Sequence, residues 1–267
     1  MGQQTKKVRF DVLSQTLYGP ATLAEAEQQG REIVQALNKG GQLPQGVEVI
    51  WGCVVVDDRV SMAAQQAVMD DASYIARILW PKTFSPSEMH IPAFQAAQAA
   101  GTPLILLATQ YKPEIPFATL DMNYMNNNQS AHGCPEVSNG ARRASAAITP
   151  LTGNWRDAAC QKAIGAVLQS VIDGKYKPVT LAQVSKDASV DLSQYKQIAA
   201  AVKEARGIRC LLIGGKMQWV TVTDGDAAQA RVDHGWEIMH VGVGDLAEAV
   251  QEIANSLEGR ERVAAVV

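Results

Sequence analysis

Apolar and polar positions along this chain switch repeatedly between the spacing of a strand and that of a helix. Arg9 to Ser14 (RFDVLS) is a short, largely apolar run that ends in the turn-forming stretch Gln15-Thr16-Leu17-Tyr18-Gly19-Pro20. From Ala21 to Leu37 the apolar residues recur at helical spacing. Thr22 is the expected N-cap, Glu25 its capping-box partner, and Gly40-Gly41 the stop. The unit then repeats. Val47 to Val56 reads as a strand, Ser61 to Met69 as a helix, Ala72 to Trp80 as a strand, Ser87 to Ala100 as a helix and Pro103 to Ala108 as a strand. Nearly continuous apolar strands separated by helices predict an α/β fold: a doubly wound, open parallel sheet covered on both faces, Rossmann- or flavodoxin-like.

Residues 109–154 interrupt the rhythm with a polar, Asn-rich stretch that is expected to be a long loop. A helix over Asp157 to Ile172 follows, ended by Asp173-Gly174. A second rhythm then begins. It has strands at Ile208 to Ile213, Trp219 to Val222 and Trp236 to Val241, and helices at Asp226 to Val232 and Asp245 to Leu257, with Asp245 as N-cap. The chain therefore divides into an N-terminal α/β domain over 1–175, a linker or insertion over 176–207, and a partial second α/β domain over 208–267. The last piece, roughly 60 residues, buries too little surface to be comfortable alone.

Composition narrows the function classes. At 267 residues, 47% hydrophobic and 19% charged, the chain can bury a sizeable core without disulfide staples. A net charge of −3 provides no basic field for a polyphosphate backbone, so no nucleic-acid partner is expected. Cys53, Cys134, Cys160 and Cys210 form no CxxC pair, and Cys53 and Cys210, set in apolar runs, are expected to be buried, reduced thiols. The N-terminus has no apolar signal core, and no apolar run approaches the ~18 residues of a membrane span. The expected setting is the cytoplasm, with no membrane partner.

Nucleotide signatures are missing: there is no GxxxxGK[ST] loop and no GxGxxG after the first strand. His90, His132, His234 and His240 match no metal-ligand spacing, and His90 is expected to be a helix-surface or packing residue. Asp57-Asp58 and Asp70-Asp71 lie at element ends, where capping and solvation account for them. More informative are the segments after the first, third and fourth strands, because ligands of doubly wound sheets sit at the strands' carboxyl ends. These segments bring Gln15, Tyr18, Thr83, Gln110, Gln129 and His132 to one rim, interleaved with Leu17 and Phe84. Amides and hydroxyls beside an apolar surface suit a polyol better than a charged ligand, with an interface or structural rim as the alternative.

Through these same residues the chain resembles the L-arabinose isomerase family. The segments are SQTLYGP at 14–20, TFSPSEMHI at 83–91, ATQYKPEIPFATLDMNYMNNNQSAHG at 108–133, GKMQWVTVTDGDAAQARVDHGW at 215–236 and HVGVGDLAEAV at 240–250. The resemblance implies a cytoplasmic, manganese-dependent interconversion of L-arabinose and L-ribulose by an ene-diol route, with D-galactose and D-tagatose as a second pair. It also implies trimers and hexamers with the active site at a subunit boundary. Carried over motif by motif, Gln15, Leu17, Tyr18, Phe84, Gln129 and His132 are expected to line the sugar site, and Met217 to add to it from the second domain.

The family's two catalytic glutamates and two metal-ligating histidines belong to a part that would follow residue 267. No catalytic residue, metal ligand or bound cofactor is therefore expected of this chain alone. Some positions depart from the family pattern: Lys82 stands where the family has His, Cys134-Pro135-Glu136-Val137-Ser138 replaces a charged, aromatic run, and Asn154 replaces another His. Besides a structural remnant with no ligand, two readings stay open. One is the N-terminal part of an arabinose-isomerase-type enzyme, acting in a homo-oligomer. The other is a non-catalytic sugar-binding or assembly subunit, paired with a complementary C-terminal half.

Overall fold

Five apolar segments pair side by side in parallel: β1 (Lys6–Leu13), β2 (Val47–Val55), β3 (Tyr74–Pro81), β4 (Leu104–Ala108) and β5 (Ile148–Thr152), in the order β2-β1-β3-β4-β5. The computed structural model describes residues 5–68, 71–178, 200–201, 203–216, 220–223 and 225–264. Side chains alternate across the sheet, as the pleat requires. Val8, Phe10, Val12, Ile78, Trp80, Ile105 and Leu107 enter one core, with Ala26, Ile33 and Leu37 of α1 (Gly19–Lys39) and Ile164 and Leu168 of the helix over Ala158–Ile172. Leu13, Val55, Leu79, Leu104 and Leu106 enter the other, with Phe94 of the helix over Ile91–Ala100 and Val137 of the helix over Ser130–Arg143. Two buried faces explain why β4 reads as the unbroken apolar run LILLA.

In chain order the helices after α1 are α2 (Arg59–Gln66), α3 (Ile91–Ala100), α4 (Met122–Asn127), α5 (Ser130–Arg143) and α6 (Ala158–Ile172). α1 begins earlier than Thr22 predicts. Pro20 in its first turn fixes φ and has no N–H to leave unpaired, so the helix starts at Gly19 and Thr22 is buried within it rather than capping it.

The expected loop over 109–154 is largely folded, and His132 stands in the first turn of α5, not in a loop. The sequence hid this helix because SAHGCPEVSNGARR contains two glycines and Pro135, all poor helix formers. The glycines are there for packing. A Cβ on Gly133 would lie 2.6 Å from the Thr83 carbonyl oxygen, and one on Gly140 2.5 Å from the Ser87 Cβ. Tertiary contact thus outweighs local propensity. β5 tolerates Pro150 because it is the last strand in the sheet order.

The chain separates into two units, the first comprising 1–187 with 219–222 and the second 188–218 with 223–267. In the second, β6 (Arg209–Ile213) and β7 (Glu237–Val241) pair in parallel, accompanied by α7 (Ala227–His234), α8 (Val243–Asn255) and α9 (Leu257–Ala264). Several of its apolar side chains are uncovered, among them Leu211 at 55% and Ile253 at 57% exposure.

Three expectations need correction here. The predicted strand over Trp219 to Val222 is not formed at its described residues: Thr221–Thr223 is a 3-10 turn, and Val220 and Thr221 are buried. Gly242, not Asp245, is the N-cap of α8, and the Asp245 carboxylate accepts the Gly242 N–H at 3.1 Å from the third helical position. Cys53 and Cys210 are half-buried, whereas Cys134 and Cys160 are the buried pair; all four are free thiols. The predicted linker falls largely outside the described residues.

Candidate functional site

At the carboxyl ends of β1 and β3, backbone hydrogen bonds carry the sheet's order into the loops. Ser14 N–H donates to the Val55 carbonyl at 3.0 Å, and Lys82 N–H to the Leu13 carbonyl at 3.0 Å. The next residues form a 3-10 turn over Thr16–Tyr18. This turn is held from both sides: Gln15 N–H donates to Thr83 Oγ1 at 3.0 Å, and Thr16 N–H to Asp57 Oδ1 at 2.7 Å. Leu17, at its tip, is 78% exposed.

The start of α5 joins the same place. Gln129 N–H donates to the Lys82 carbonyl at 3.1 Å, and Gln129 Oε1 accepts the Phe84 N–H at 3.3 Å, so this one residue ties α5 to the β3 loop. Burial raises the Tyr18 phenol above its ordinary pKa, against the pull of the Gln129 side chain beside it. The His132 amide donates to the Gln129 carbonyl at 2.9 Å, and its ring lies 4.9 Å from that of Phe84, tilted by 36°. Gln110 Oε1 accepts the Ser130 N–H at 3.3 Å, bringing the β4 loop to the same helix end.

Gln15, Tyr18, Phe84, Gln129 and His132 therefore gather at one rim, with Thr83 and Gln110 behind them. Met217, the remaining expected lining residue, lies outside the described residues. The rim occupies a topological switch point. α1, which leaves β1, packs on one face of the sheet, and α3, which follows β3, packs on the other, opening a crevice between the two strand ends.

Two contributors were not singled out as site residues from the sequence. Asp57, read as an element-end carboxylate, fixes the Gln15–Tyr18 turn, and no sequence spacing reveals a contact between the ends of neighbouring parallel strands. Lys82 has its side chain buried beneath the rim. Burial pushes its amine down to about 8, while Glu25 pulls the other way.

His90 is a packing residue, buried in the turn over Ser87–His90, and burial pushes its imidazole down to about 4. Asp58 caps α2 by accepting the Val60 and Ser61 amides at 2.8 and 2.9 Å, and these bonds, led by that from Ser61, lower its pKa. Among the described residues, no three His, Cys, Asp or Glu side chains converge as metal ligands, and no helix is long and apolar enough to cross a membrane.

What this rim can do chemically is donate and accept hydrogen bonds through amide, phenol and imidazole groups beside an aromatic face. The chain resembles known proteins over most of its length. Residues 2–176 match the L-arabinose isomerase N-terminal domain, and residues 209–258 match the L-arabinose isomerase central domain. Among curated relatives, the L-arabinose isomerase of Leuconostoc mesenteroides is 33% identical over 249 residues, covering 92% of this chain and 45% of that protein. Those of Shewanella sp. strain ANA-3 and Yersinia pestis are each 29% identical, covering 93% of this chain and 43% of theirs. The chain thus spans less than half the length of these relatives. With the N-terminal domain match running from before β1 to beyond α6 and covering well over half of the chain, the chain belongs to the L-arabinose isomerase family.

Proposed function

We propose that this chain supplies one wall of the sugar pocket in an L-arabinose-isomerase-type assembly that interconverts L-arabinose and L-ribulose, and likewise D-galactose and D-tagatose. The observation that carries this reading is the convergence of Gln15, Tyr18, Phe84, Gln129 and His132 at the switch point between β1 and β3. The ligand is a neutral pentose or hexose, matched by amide, phenol and imidazole groups. Gln129 Nε2 carries two N–H groups, enough to serve Tyr18 and a sugar hydroxyl together. Phe84 and Leu17 offer apolar surface to the sugar's C–H faces.

The rim is open, with Leu17 and His132 exposed. A small-molecule site encloses most of its ligand. A second surface therefore closes the pocket, provided by another copy in a trimer or hexamer or by a complementary C-terminal half. The rim's own donors do not fit a manganese ion, which favours carboxylate and imidazole ligands, since the rim gathers a single imidazole among amides and a phenol. We assign the metal, and the base and acid that move a proton between adjacent sugar carbons, to that second surface. The residues on this side bind and orient the sugar.

Calorimetric titration with L-arabinose tests this. Phe84→Ala and His132→Ala are each expected to weaken binding about tenfold, equivalent to about 1.4 kcal/mol. Unchanged affinity in both variants overturns the reading. So does isomerase turnover by the chain alone with manganese, which would place the proton-moving groups within it.

A further inference from the structure

Behind the rim runs a buried string of polar side chains that the proposed sugar contacts do not use. Ser85 Oγ lies 2.8 Å from His90 Nε2, and His90 Nδ1 lies 3.0 Å from Gln65 Oε1. The three residues are 3%, 2% and 0% exposed. With Gln65 Oε1 as the acceptor, His90 Nδ1 carries the ring proton and Nε2 accepts from the Ser85 hydroxyl, an arrangement that leaves the buried Gln65 Nε2 without a partner among the described residues. In this arrangement the bonds run in one direction, from Ser85 through His90 to Gln65. Its order is that of a hydrolase relay, but Ser85 is sealed from solvent and no substrate carbonyl can reach it.

The string connects three separate elements: Gln65 on α2, His90 at the end of the turn over Ser87–His90, and Ser85 in the loop that follows β3. Ser85 directly follows Phe84, whose ring faces His132. Buried side-chain bonds to two other elements limit the backbone paths open to Ser85, and the path it takes carries Phe84. We infer that His90 and Gln65 are positioning residues, which hold the Phe84 ring against His132 by orienting Ser85. This inference rests on the rim being a sugar site only for its consequence in binding; the ring placement is independent of it.

The experiment compares the full chain with Gln65→Leu, Gln65→Glu and His90→Phe. Gln65→Leu and His90→Phe are expected to lose the nuclear Overhauser contacts between the Phe84 and His132 rings. They should also weaken L-arabinose binding roughly three- to tenfold. Gln65→Glu keeps an acceptor and is expected to retain both properties. In a Phe84→Ala background the same substitutions should have no further effect on affinity, a pattern that general destabilisation would not produce.

Ring contacts intact in both disrupted variants would overturn the inference, as would an additive loss of affinity in the Phe84→Ala background. Should those variants fail to fold, the tautomer in the unaltered protein decides. Nitrogen shifts of an Nδ1-protonated His90 support the string, and those of an Nε2-protonated ring refute it. If the unaltered chain binds no sugar while the ring contacts respond as stated, the sugar reading fails and the positioning role stands.

Discussion

Replacing Glu136 with alanine is expected to lower the unfolding free energy of the first unit by about 2–6 kcal/mol, the cost of leaving two buried amides without an acceptor. Glu136 on α5 is 1% exposed, and its Oε1 accepts from the Ser87 amide at 3.1 Å, the Thr221 amide at 2.7 Å and the Thr221 hydroxyl at 3.1 Å. The Ser87 hydroxyl donates to the same oxygen. Alanine would strand two buried backbone amides that have no other acceptor among these contacts, and each orphaned group costs about 1–3 kcal/mol. Glu136→Gln preserves a carbonyl oxygen for both amides and should cost markedly less, about 1–2 kcal/mol. Urea denaturation followed by tryptophan fluorescence measures both. A loss below 1 kcal/mol for the alanine variant would mean that water replaces the carboxylate and that the network is not sealed.

His90 gives the second large effect, this time on acidification. Its unfolded-state pKa is near 6.5 and its folded-state value is pushed down to about 4 by burial. Between these values the unfolded chain binds the extra proton and the folded chain does not. Stability therefore rises with pH through this window and is lost as pH falls from about 6.5 towards 4. The difference between the two values corresponds to about 3 kcal/mol, which is fully present above pH 6.5 and gone below the folded-state value. Carboxylates elsewhere titrate over part of the same range, so the quantity to measure is the difference between the unaltered protein and His90→Phe. That difference should shrink by about 3 kcal/mol between pH 7 and pH 4. A difference independent of pH would show that the imidazole takes up its proton inside the fold without penalty.

How far the fold was legible in the sequence depended on which force decided each element. β4 and the strand-like runs around it were readable because strands buried on both faces must be apolar throughout. The rim was readable for a related reason: once parallel strands are assigned, their carboxyl ends lie on one edge. Segments as distant in sequence as Gln15 and Gln129 then become neighbours without any motif to announce it. α5 was not readable. Its glycines and Pro135 argue against a helix locally, and only the close approach to Thr83 and Ser87 explains why small residues stand there. The same holds for Thr221, whose polar, β-branched surroundings suggested a strand but whose burial follows from Glu136. Asp57 and Gln65 illustrate the remaining gap. Asp57 was read as an element-end carboxylate and Gln65 carried no signal of its own, yet each acts through a partner on a different element.

On the proposed function, the gathered loops after β1, β3 and β4 recognise a neutral sugar. Amide shift mapping during titration with L-arabinose tests it most directly. The account predicts saturable shifts concentrated at Gln15, Tyr18, Phe84, Gln129 and His132, with the second unit's β6 and β7 undisturbed. Shifts confined to the second unit, or none at these five residues while sugar binds elsewhere, would contradict it.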